Sequence, residues 1–361
     1  MVITIEEKDP IGNASITVIG VGGGGGNAVN RMIEAGIKGV DFIAANTDAQ
    51  ALQDSLAGVR FQLGEHLTKG LGAGGNPSVG EQAAIEDSAT IKESLSGSDM
   101  IFITAGFGGG TGTGAAPIIA KIAKELGALT VGVVTKPFMF EGKKRHQRAI
   151  EGLEKLRKNV DTLLVIPNQK LFSVIKEDTT ALETFKVADD VLRQAVQSIS
   201  DIITTKGVIN VDFADVKSVM LNAGEAIMGL GFGEGEDRAV KAARTAITSP
   251  LLEDVSIEGA EGLLVNVTGN KGMTMFEIEA AMKLIHSSVS PEADVFFGHT
   301  IDASLENEIK ITVIATGCKK RSSSPAGVEK HAAKTPVAIE EAKAGISIKF
   351  PSYLKRNKEK K

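Results

Sequence analysis

The chain has 361 residues, of which 42% are hydrophobic and 24% are charged, the balance of an ordinary soluble globular protein. Its apolar runs are far shorter than a membrane span, its polar start lacks a signal-peptide pattern, and its single cysteine, Cys318, excludes an internal disulfide framework. Residues 319–361 carry 12 basic and 4 acidic side chains, whereas the rest of the chain carries 28 basic and 41 acidic ones. The main part of the chain is therefore acidic, which argues against a nucleic-acid-binding protein.

The first half of the chain alternates between strand and helix patterns. SITVIGV is a buried strand followed by a glycine turn and a helix, and the unit recurs at GVDFIAA and SDMIFITAG. Two more strands, ALTVGVV and DTLLVIP, flank a helix over about 142–158. This alternation predicts an α/β fold with a doubly wound parallel sheet, in which ligands lie beyond the carboxyl ends of the strands.

A long helix is predicted over about 180–206, where apolar residues recur at helical spacing until Gly207. Two helical stretches follow, at about 213–229 and 236–248. The strand EGLLVNVTG, a helix near 274–287 and two further strands then predict a smaller α+β domain with a mixed sheet. The predicted organisation is a flexible N-terminus (1–14), a nucleotide-binding domain (15–180), a central helix (181–207), a C-terminal α+β domain (208–318) and a disordered basic tail (319–361).

Three glycine-rich loops, at residues 20–26, 70–75 and 108–114, fall at the predicted carboxyl edge of the sheet. None contains the lysine of a Walker-type phosphate loop. Backbone N–H groups in such loops, together with the positive end of a helix, bind polyphosphate without a lysine. Thr111 and Thr113 add hydroxyl groups to the third loop. The alternative is that the glycines only form tight turns.

A dinucleotide site is the other interpretation of the first loop, because Gly20, Gly22 and Gly25 match the G-x-G-x-x-G pattern. The second strand, however, ends at Asn46, where a Rossmann site expects an acidic residue for the ribose. A single NAD site would also leave the 108–114 loop without a purpose. A dehydrogenase is therefore the weakest of the alternatives.

Seven segments together resemble successive signatures of the FtsZ family, the prokaryotic cell-division relatives of tubulin, and suggest an archaeal member. They are GVGGGGGNAVNRM, NTDAQAL, KGLGAGGNP, GGGTGTGAAP, TKPFMFEGKKR, IPNQKL and NVDFADVKSVM, and the resemblance runs from about residue 15 to 318. It implies a tubulin/FtsZ-like fold, binding of GTP and GDP, magnesium-assisted hydrolysis and head-to-tail filaments.

The resemblance also implies roles for individual residues. Ala73 and Gly74 would lie near the γ-phosphate, Glu141 and Arg145 would contact the ribose, Phe185 would stack on the base, and Asn168 and Asp189 would read guanine. The remaining implied nucleotide-binding residues are Gly22, Gly23, Gly24, Gly25, Gly26, Asn27, Asn46, Gly108, Gly109, Gly110, Thr111, Gly112, Thr113, Gly114 and Thr135. From spacing alone, Phe185 is equally well a core residue and Asp189 a solvated helix position.

The segment NVDFADV places Asn210, Asp212 and Asp215 at the start of a helix. Helix capping is one interpretation and catalysis another, and the two are compatible. Seventeen helical steps from Asp189 to Lys206 span roughly 25 Å, so these acids cannot easily reach the nucleotide of their own subunit. If they are catalytic, they serve the next molecule in a filament. Mg²⁺ would be held mainly by GTP phosphates and water, with protein ligands unknown.

The tail ends in ISIKFPSYLKRNKEKK, where Pro351, Tyr353 and Leu354 resemble the family's C-terminal partner peptide. The acidic residue expected upstream is missing, and a basic tail attracted to anionic lipid is the alternative. The implied place is the cytoplasm, at the mid-cell division site beneath the membrane. A non-hydrolysing nucleotide-binding scaffold, or a tubulin-like filament that positions or shapes the cell, remains open.

Overall fold

The computed structural model describes most of the chain between residues 14 and 318. Asn210, the N-terminus and the tail peptide with Pro351, Tyr353 and Leu354 lie outside the described residues. The described ranges are 14–173, 175–176, 178–205, 211–251, 257–302 and 304–318.

The first half contains the predicted alternation of strands and helices. Short 3₁₀ helices lie at Met139–Glu141 and Asn168–Ser173. The elements are β1 (Ile16–Val21), α1 (Gly22–Glu34), β2 (Asp41–Asn46), α2 (Ala49–Gln53), β3 (Val59–Gln62), α3 (Glu65–Thr68), α4 (Pro77–Glu86), α5 (Ser88–Leu95), β4 (Met100–Gly106), α6 (Thr111–Glu125), β5 (Leu129–Lys136), α7 (Lys143–Arg157) and β6 (Thr162–Pro167).

The second half begins with the long helix and continues with mixed strands and helices. The elements are α8 (Ala181–Thr204), α9 (Phe213–Met220), β7 (Gly224–Glu234), α10 (Arg238–Ile247), a 3₁₀ turn (Ile257–Gly259), β8 (Gly262–Gly269), α11 (Met275–His286), β9 (Asp294–Ile301) and β10 (Glu308–Thr316).

In the described part of the chain, ten strands form one sheet in the order β3-β2-β1-β4-β5-β6-β7-β10-β8-β9. The strands from β3 to β7 are parallel, β10 is antiparallel to both of its neighbours, and β9 is parallel to β8. The direction of winding reverses between β1 and β4. In open α/β sheets the ligand crevice lies at such a switch point, so the topology places a site at the ends of these two strands.

Helices cover both faces of the parallel strands, which explains why strands such as β1 are buried along their whole length. α1 and α8 pack on one face, and α4, α5, α6 and α7 on the other. α8 begins with a capping box between Thr180 and Glu183 and runs for 24 residues, about 36 Å. It contacts β5 as well as β8 and β9, so the predicted central helix packs against both halves of the sheet.

The predicted helix over 213–229 is wrong beyond Met220. Residues 224–234 form β7, in which Gly231 and Gly233 lie on the face that α10 covers. A Cβ on Gly231 would lie 2.0 Å from the carbonyl oxygen of Ala242, so the glycines let the helix backbone contact the strand directly. Alternating glycines concealed the strand, because glycine carries no strand propensity.

The glycine run after β1 also differs from the prediction. Val21 is extended, and α1 begins at once with Gly22, so residues 22–26 form the first helical turns instead of a separate loop. A run of five glycines has low helix propensity, and tertiary contacts override it here. The exposed N–H groups of this first turn point out of the carboxyl end of the sheet, where the switch point lies.

Candidate functional site

Two of the glycine-rich segments meet at the switch point. Gly22 follows β1 with a φ of +71°, and a Cβ at this position would lie 2.9 Å from the backbone nitrogen of Gly112 at the start of α6. A Cβ on Gly24 would lie 3.2 Å from the backbone nitrogen of the strand-end residue Gly106. The N-termini of α1 and α6 therefore converge, and their unpaired N–H groups and helix dipoles favour an anion between them.

The third glycine-rich segment, residues 70–75, is held by contacts and hydrogen bonds near the other two. A Cβ on Gly110 would lie 2.7 Å from Cβ of Ala73. Thr47, which is fully buried, joins the segments: its hydroxyl lies 2.6 Å from that of Thr111, and its carbonyl oxygen accepts the N–H of Gly72 at 3.2 Å. Sequence reasoning missed Thr47, although its position directly after β2 was a usable signal.

Other glycines face open space. A Cβ on Gly23, Gly26, Gly74 or Gly109 would have no neighbour within 4 Å. Beside Gly23 and Gly26 lies a cavity of about 130 Å³, lined in part by Asn27, Asn30, Asn46, Asp54 and Ser55. The structure thus separates glycines needed for backbone contacts from glycines that border open space.

The threonines and small residues at the start of α6 also stabilise the loop itself. Thr113 is 2% exposed, and its hydroxyl accepts the N–H of Gly108 at 2.8 Å. A Cβ on Gly114 would lie 1.9 Å from the carbonyl oxygen of Pro77, where α4 packs directly against α6. Thr113 and Gly114 therefore have clear structural roles beside any contact with a nucleotide.

The predicted ribose contacts form an ion pair at the rim. Nε of Arg145 lies 3.0 Å from Oε2 of Glu141, whose other oxygen accepts the N–H of Phe138 at 2.8 Å. Gly108, with a φ of +103°, passes under the Arg145 side chain. Thr135, near the end of β5, is buried, and its hydroxyl oxygen would lie 3.6 Å from a Cβ on Gly106. The structure therefore places these predicted residues next to the glycine segments.

Aromatic rings form the next part of the rim. The buried ring of Phe138 stacks on Phe140 with centroids 5.1 Å apart and meets Phe172 and Phe185 edge-on at 5.4 and 5.6 Å. Phe185 is 44% exposed, so one side of its ring remains available for stacking on a planar ligand. The core interpretation of Phe185 is therefore wrong.

Two polar side chains lie close to the rings. Asn168 is buried, and its Oδ1 has no hydrogen bond in the described part of the chain. Asp189 follows Phe185 by one helical turn, so both lie on one face of α8. Burial raises the pKa of Asp189 to about 7, opposed by the positive charge of Arg31 on α1. An unpaired polar atom as buried as Oδ1 of Asn168 is costly, and together with the raised pKa of Asp189 it indicates a ligand site.

Asp212 lies far from this group and caps α9. Its Oδ1 accepts the N–H of Asp215 at 2.8 Å, and the Asp212 side chain is exposed. The capping interpretation is therefore confirmed, and it leaves the second Asp212 oxygen and the Asp215 carboxylate without a described partner.

α9 lies at the opposite end of the sheet from the glycine segments. The hydroxyl of Thr162, the first residue of β6, donates to the carbonyl oxygen of Met220 at the end of α9. The glycine segments instead follow the carboxyl ends of the parallel strands. From Asp189 to Thr204, fifteen helical steps of α8 span about 22 Å. The structure therefore does not bring Asp212 and Asp215 together with the nucleotide residues of the same molecule.

Metal and membrane features are sparse in the described ranges. They contain no group of three or more His, Cys, Asp or Glu side chains arranged to hold a metal ion. No helix in them is long and apolar enough to cross a bilayer.

Comparison with protein families accounts for both halves of the chain. Residues 15–176 match the model described as Tubulin/FtsZ family, GTPase domain, and residues 224–319 match that of the FtsZ family, C-terminal domain. The two matches cover the glycine segments and the mixed strands, respectively.

Solved structures agree with these matches. The chain is similar to an empty FtsZ dimer of M. jannaschii, with 46% identity over 88% of this chain and 95% of that chain and a TM-score of 0.83. CetZ2 from Haloferax volcanii, in a structure described as a GTPgS-bound protofilament, has 20% identity over 86% of this chain and 94% of that chain, with a TM-score of 0.69. The second likeness shows the fold alone.

Proposed function

The chain belongs to the tubulin/FtsZ family of GTPases, and on this premise we propose that it assembles head to tail into filaments in which each subunit hydrolyses the GTP of its neighbour. The N-terminal domain (15–180) would bind GTP, and the C-terminal domain (208–318), joined to it by the central helix (181–207), would supply Asn210, Asp212 and Asp215. The separation between the glycine segments and α9 is the observation that carries this proposal.

The nucleotide would lie along the carboxyl edge of the sheet. The N–H groups at the starts of α1 and α6 would bind the phosphates, and Ala73 and Gly74 would lie beside the γ-phosphate. The ribose would meet Glu141 and Arg145, and the base would stack on Phe185. Asp189 would accept hydrogen bonds from N1–H and N2–H₂ of guanine, a donor pair that adenine lacks, and Asn168 would complete the recognition.

Hydrolysis would begin when a second subunit places its Asp212 and Asp215 over the γ-phosphate. The oxygen of a water molecule bonds to the γ-phosphorus while the bond to the β–γ bridging oxygen breaks, and that electron pair leaves with GDP. One proton of the water passes to a neighbouring carboxylate and then to solvent. The protein contributes mainly positioning and charge, as in other phosphoryl transfers.

Mg²⁺ fits this scheme as an ion carried by the nucleotide. Because the described residues contain no preformed acidic cluster, phosphate oxygens and water would provide most of its ligands. Asp212 and Asp215 of the neighbouring subunit are the acidic side chains that would complete its shell, directly or through water. When bound, the ion neutralises phosphate charge.

The proposed self-association joins the two different ends of the molecule. A contact between one end of a subunit and the opposite end of the next is heterologous, and it forms an open filament when the rotation does not close. The similar M. jannaschii protein is described as a dimer, which supports association of this chain with itself. In the cell, such filaments would lie in the cytoplasm at mid-cell and build the division ring beneath the membrane.

The decisive measurement is the GTPase rate of the wild type and of Asp212→Asn as a function of protein concentration, with light scattering alongside. Asparagine caps helices as well as aspartate does, so α9 should stay intact while the carboxylate is lost. Wild-type turnover should begin at the concentration where scattering begins. The variant should bind GTP and assemble, but hydrolyse at least about a hundredfold more slowly.

Two outcomes would contradict this proposal. One is full GTPase activity of the wild type at dilutions where no filaments form. The other is undiminished turnover of Asp212→Asn. Assembly without any turnover in the wild type would instead support a non-hydrolysing scaffold.

The tail peptide around Pro351, Tyr353 and Leu354 would recruit a membrane-anchor or division protein. Deletion of residues 346–361 should leave GTP turnover unchanged and release filaments from the membrane, measured by fractionation and by imaging of a tagged chain. Undisturbed localisation would contradict this role.

A further inference from the structure

One face of α7 lies along the phosphate-binding segments. A Cβ on Gly108 would lie 2.7 Å from Cγ of Arg145, and one on Gly152, two turns further along the helix, would lie 2.4 Å from Cγ2 of Thr113. These two contacts fix the rotation of the helix. Position 148 is one turn from each of these two residues and lies on the same face of the helix.

Arg148 occupies that position. It lies one turn after Arg145, and its Nη1 is 3.5 Å from the place where a Cβ on Gly75 would lie. Gly75 has a φ of +71°, and the adjacent Gly74 is exposed to open space. The guanidinium of Arg148 therefore reaches across from α7 to the end of the 70–75 segment.

This guanidinium has no counter-charge. Arg145 on the same helix pairs with Glu141, and Arg157 pairs with Glu154. Arg148 is half-buried, yet it makes no ion pair and no hydrogen bond with any residue in the described part of the chain. A partly desolvated cation without a partner is costly, and its position at a phosphate-binding segment indicates an anionic ligand.

We propose that Arg148 binds the γ-phosphate of GTP and stabilises the charge that develops on it during hydrolysis. The inference rests on the proposed function in one respect, the placement of the γ-phosphate beside Ala73 and Gly74. The glycine segments contain no lysine, and backbone N–H groups carry no full charge. A guanidinium with parallel N–H donors is the side chain that best matches phosphate oxygens, and an arginine in this role has a large effect on turnover.

The γ-phosphate is favoured over a carboxylate of the next subunit because of where the guanidinium lies. It is half-buried against Gly75 within its own molecule, whereas a side chain recruited by a neighbour would extend from an exposed position. The two possibilities differ in one measurable property. A γ-phosphate contact distinguishes GTP from GDP in a single subunit, and an intersubunit contact does not.

The test compares the dissociation constants of GTP and GDP for Arg148→Gln and the otherwise unchanged protein, both below the assembly concentration. GTP affinity should fall at least about tenfold, the scale for loss of a charge-assisted contact, and GDP affinity should not change. Arg148→Lys should recover part of the difference. Lys144→Gln, which removes an exposed cation from the same helix, should leave both constants unchanged.

Assembled protein supplies the second readout. At saturating GTP, the fold-reduction of kcat in Arg148→Gln should exceed the fold-change in the concentration at which the protein assembles. Equal loss of GTP and GDP affinity, no change in either, or a change in the assembly concentration alone would overturn the proposal. Because the binding measurement uses single subunits, it can succeed even if Asp212 and Asp215 prove not to act on a neighbouring molecule.

Discussion

The two ends of the proposed nucleotide site, which we call the phosphate end and the base end, are built by different means. At the phosphate end, backbone meets backbone: Gly22, Gly110 and Gly114 each lie where a Cβ would approach another main chain within 3 Å. At the base end, side chains on α8 and the 3₁₀ helix after β6 contribute a ring, an amide and a carboxylate. The phosphate end has almost no room for an added atom. At the base end, single side chains can be replaced without forcing main chains apart.

This difference separates two kinds of mutational effect. Substitutions at the phosphate end act on folding, because the segments that would bind phosphate also hold α1, α4 and α6 together. Substitutions at the base end act on affinity, selectivity and pH dependence. Experiments that measure stability and binding separately test whether the two ends really behave differently.

The largest effect is expected from Gly114→Ala. Its Cβ would lie 1.9 Å from the carbonyl oxygen of Pro77, so α4 and α6 would have to separate. We expect a loss of about 3 kcal/mol in the free energy of unfolding, measured by denaturant titration. Gly109→Ala, whose Cβ meets nothing within 4 Å, is the matched control and should unfold like the wild type. Equal stability of the two variants would contradict the backbone-contact account of this end.

Sequence reasoning was effective at the phosphate end for a physical reason. Close approach of two backbones requires glycine, so glycines that directly follow apolar strands indicate this kind of contact. Even there, the sequence did not show that Gly22 to Gly26 form the first turns of a helix, or that Thr47 joins the segments. Those features depend on contacts between residues distant in the chain.

At the base end and in the second half, the sequence carried less information. Phe185 and Asp189 look like ordinary positions of an amphipathic helix, and only family resemblance assigned them to a site. The first part of β7, residues 224–229, was predicted as helix, because the glycines of this strand removed the strand signal. Whether a ring or a carboxylate faces solvent, core or ligand depends on neighbours such as Phe138 and Arg31, which local patterns do not reveal.

Phe185→Leu should produce the largest effect at the base end. Loss of the ring removes the stacking surface, and stacking of a base on an aromatic side chain corresponds to about tenfold or more in affinity. GTP and GDP should weaken equally, as measured by isothermal titration, because both carry the base. Phe172→Leu is the matched control, since Phe172 also contacts Phe138 edge-on and is similarly exposed. Similar losses in both variants would indicate a damaged ring cluster instead of lost stacking.

A pH dependence is expected from Asp189. In the proposed site guanine donates hydrogen bonds to this carboxylate, so the nucleotide would bind its ionised form, and burial raises the pKa of Asp189 to about 7. Affinity should therefore be constant above that pKa and fall below it, approaching about tenfold per pH unit. Asp189→Asn should bind more weakly and lack this component, and it also controls for titration of the phosphates. A wild-type profile identical in shape to that of the variant would mean that the carboxylate does not titrate on binding.

The smallest effect, and the finest test of the base end, is expected from Arg31→Gln. The positive charge of Arg31 lowers the pKa of Asp189 against the larger effect of burial, so its removal should move that pKa upward. Near pH 7 a smaller fraction of the carboxylate is then ionised, and GTP affinity should fall a few-fold, with recovery toward the wild-type value at higher pH. Lys38→Gln removes an exposed charge from the segment after α1 and should not shift the profile. If Arg31→Gln weakens binding equally at every pH, Arg31 contacts the nucleotide directly, and the base end also contains a cationic contact that acts independently of Asp189.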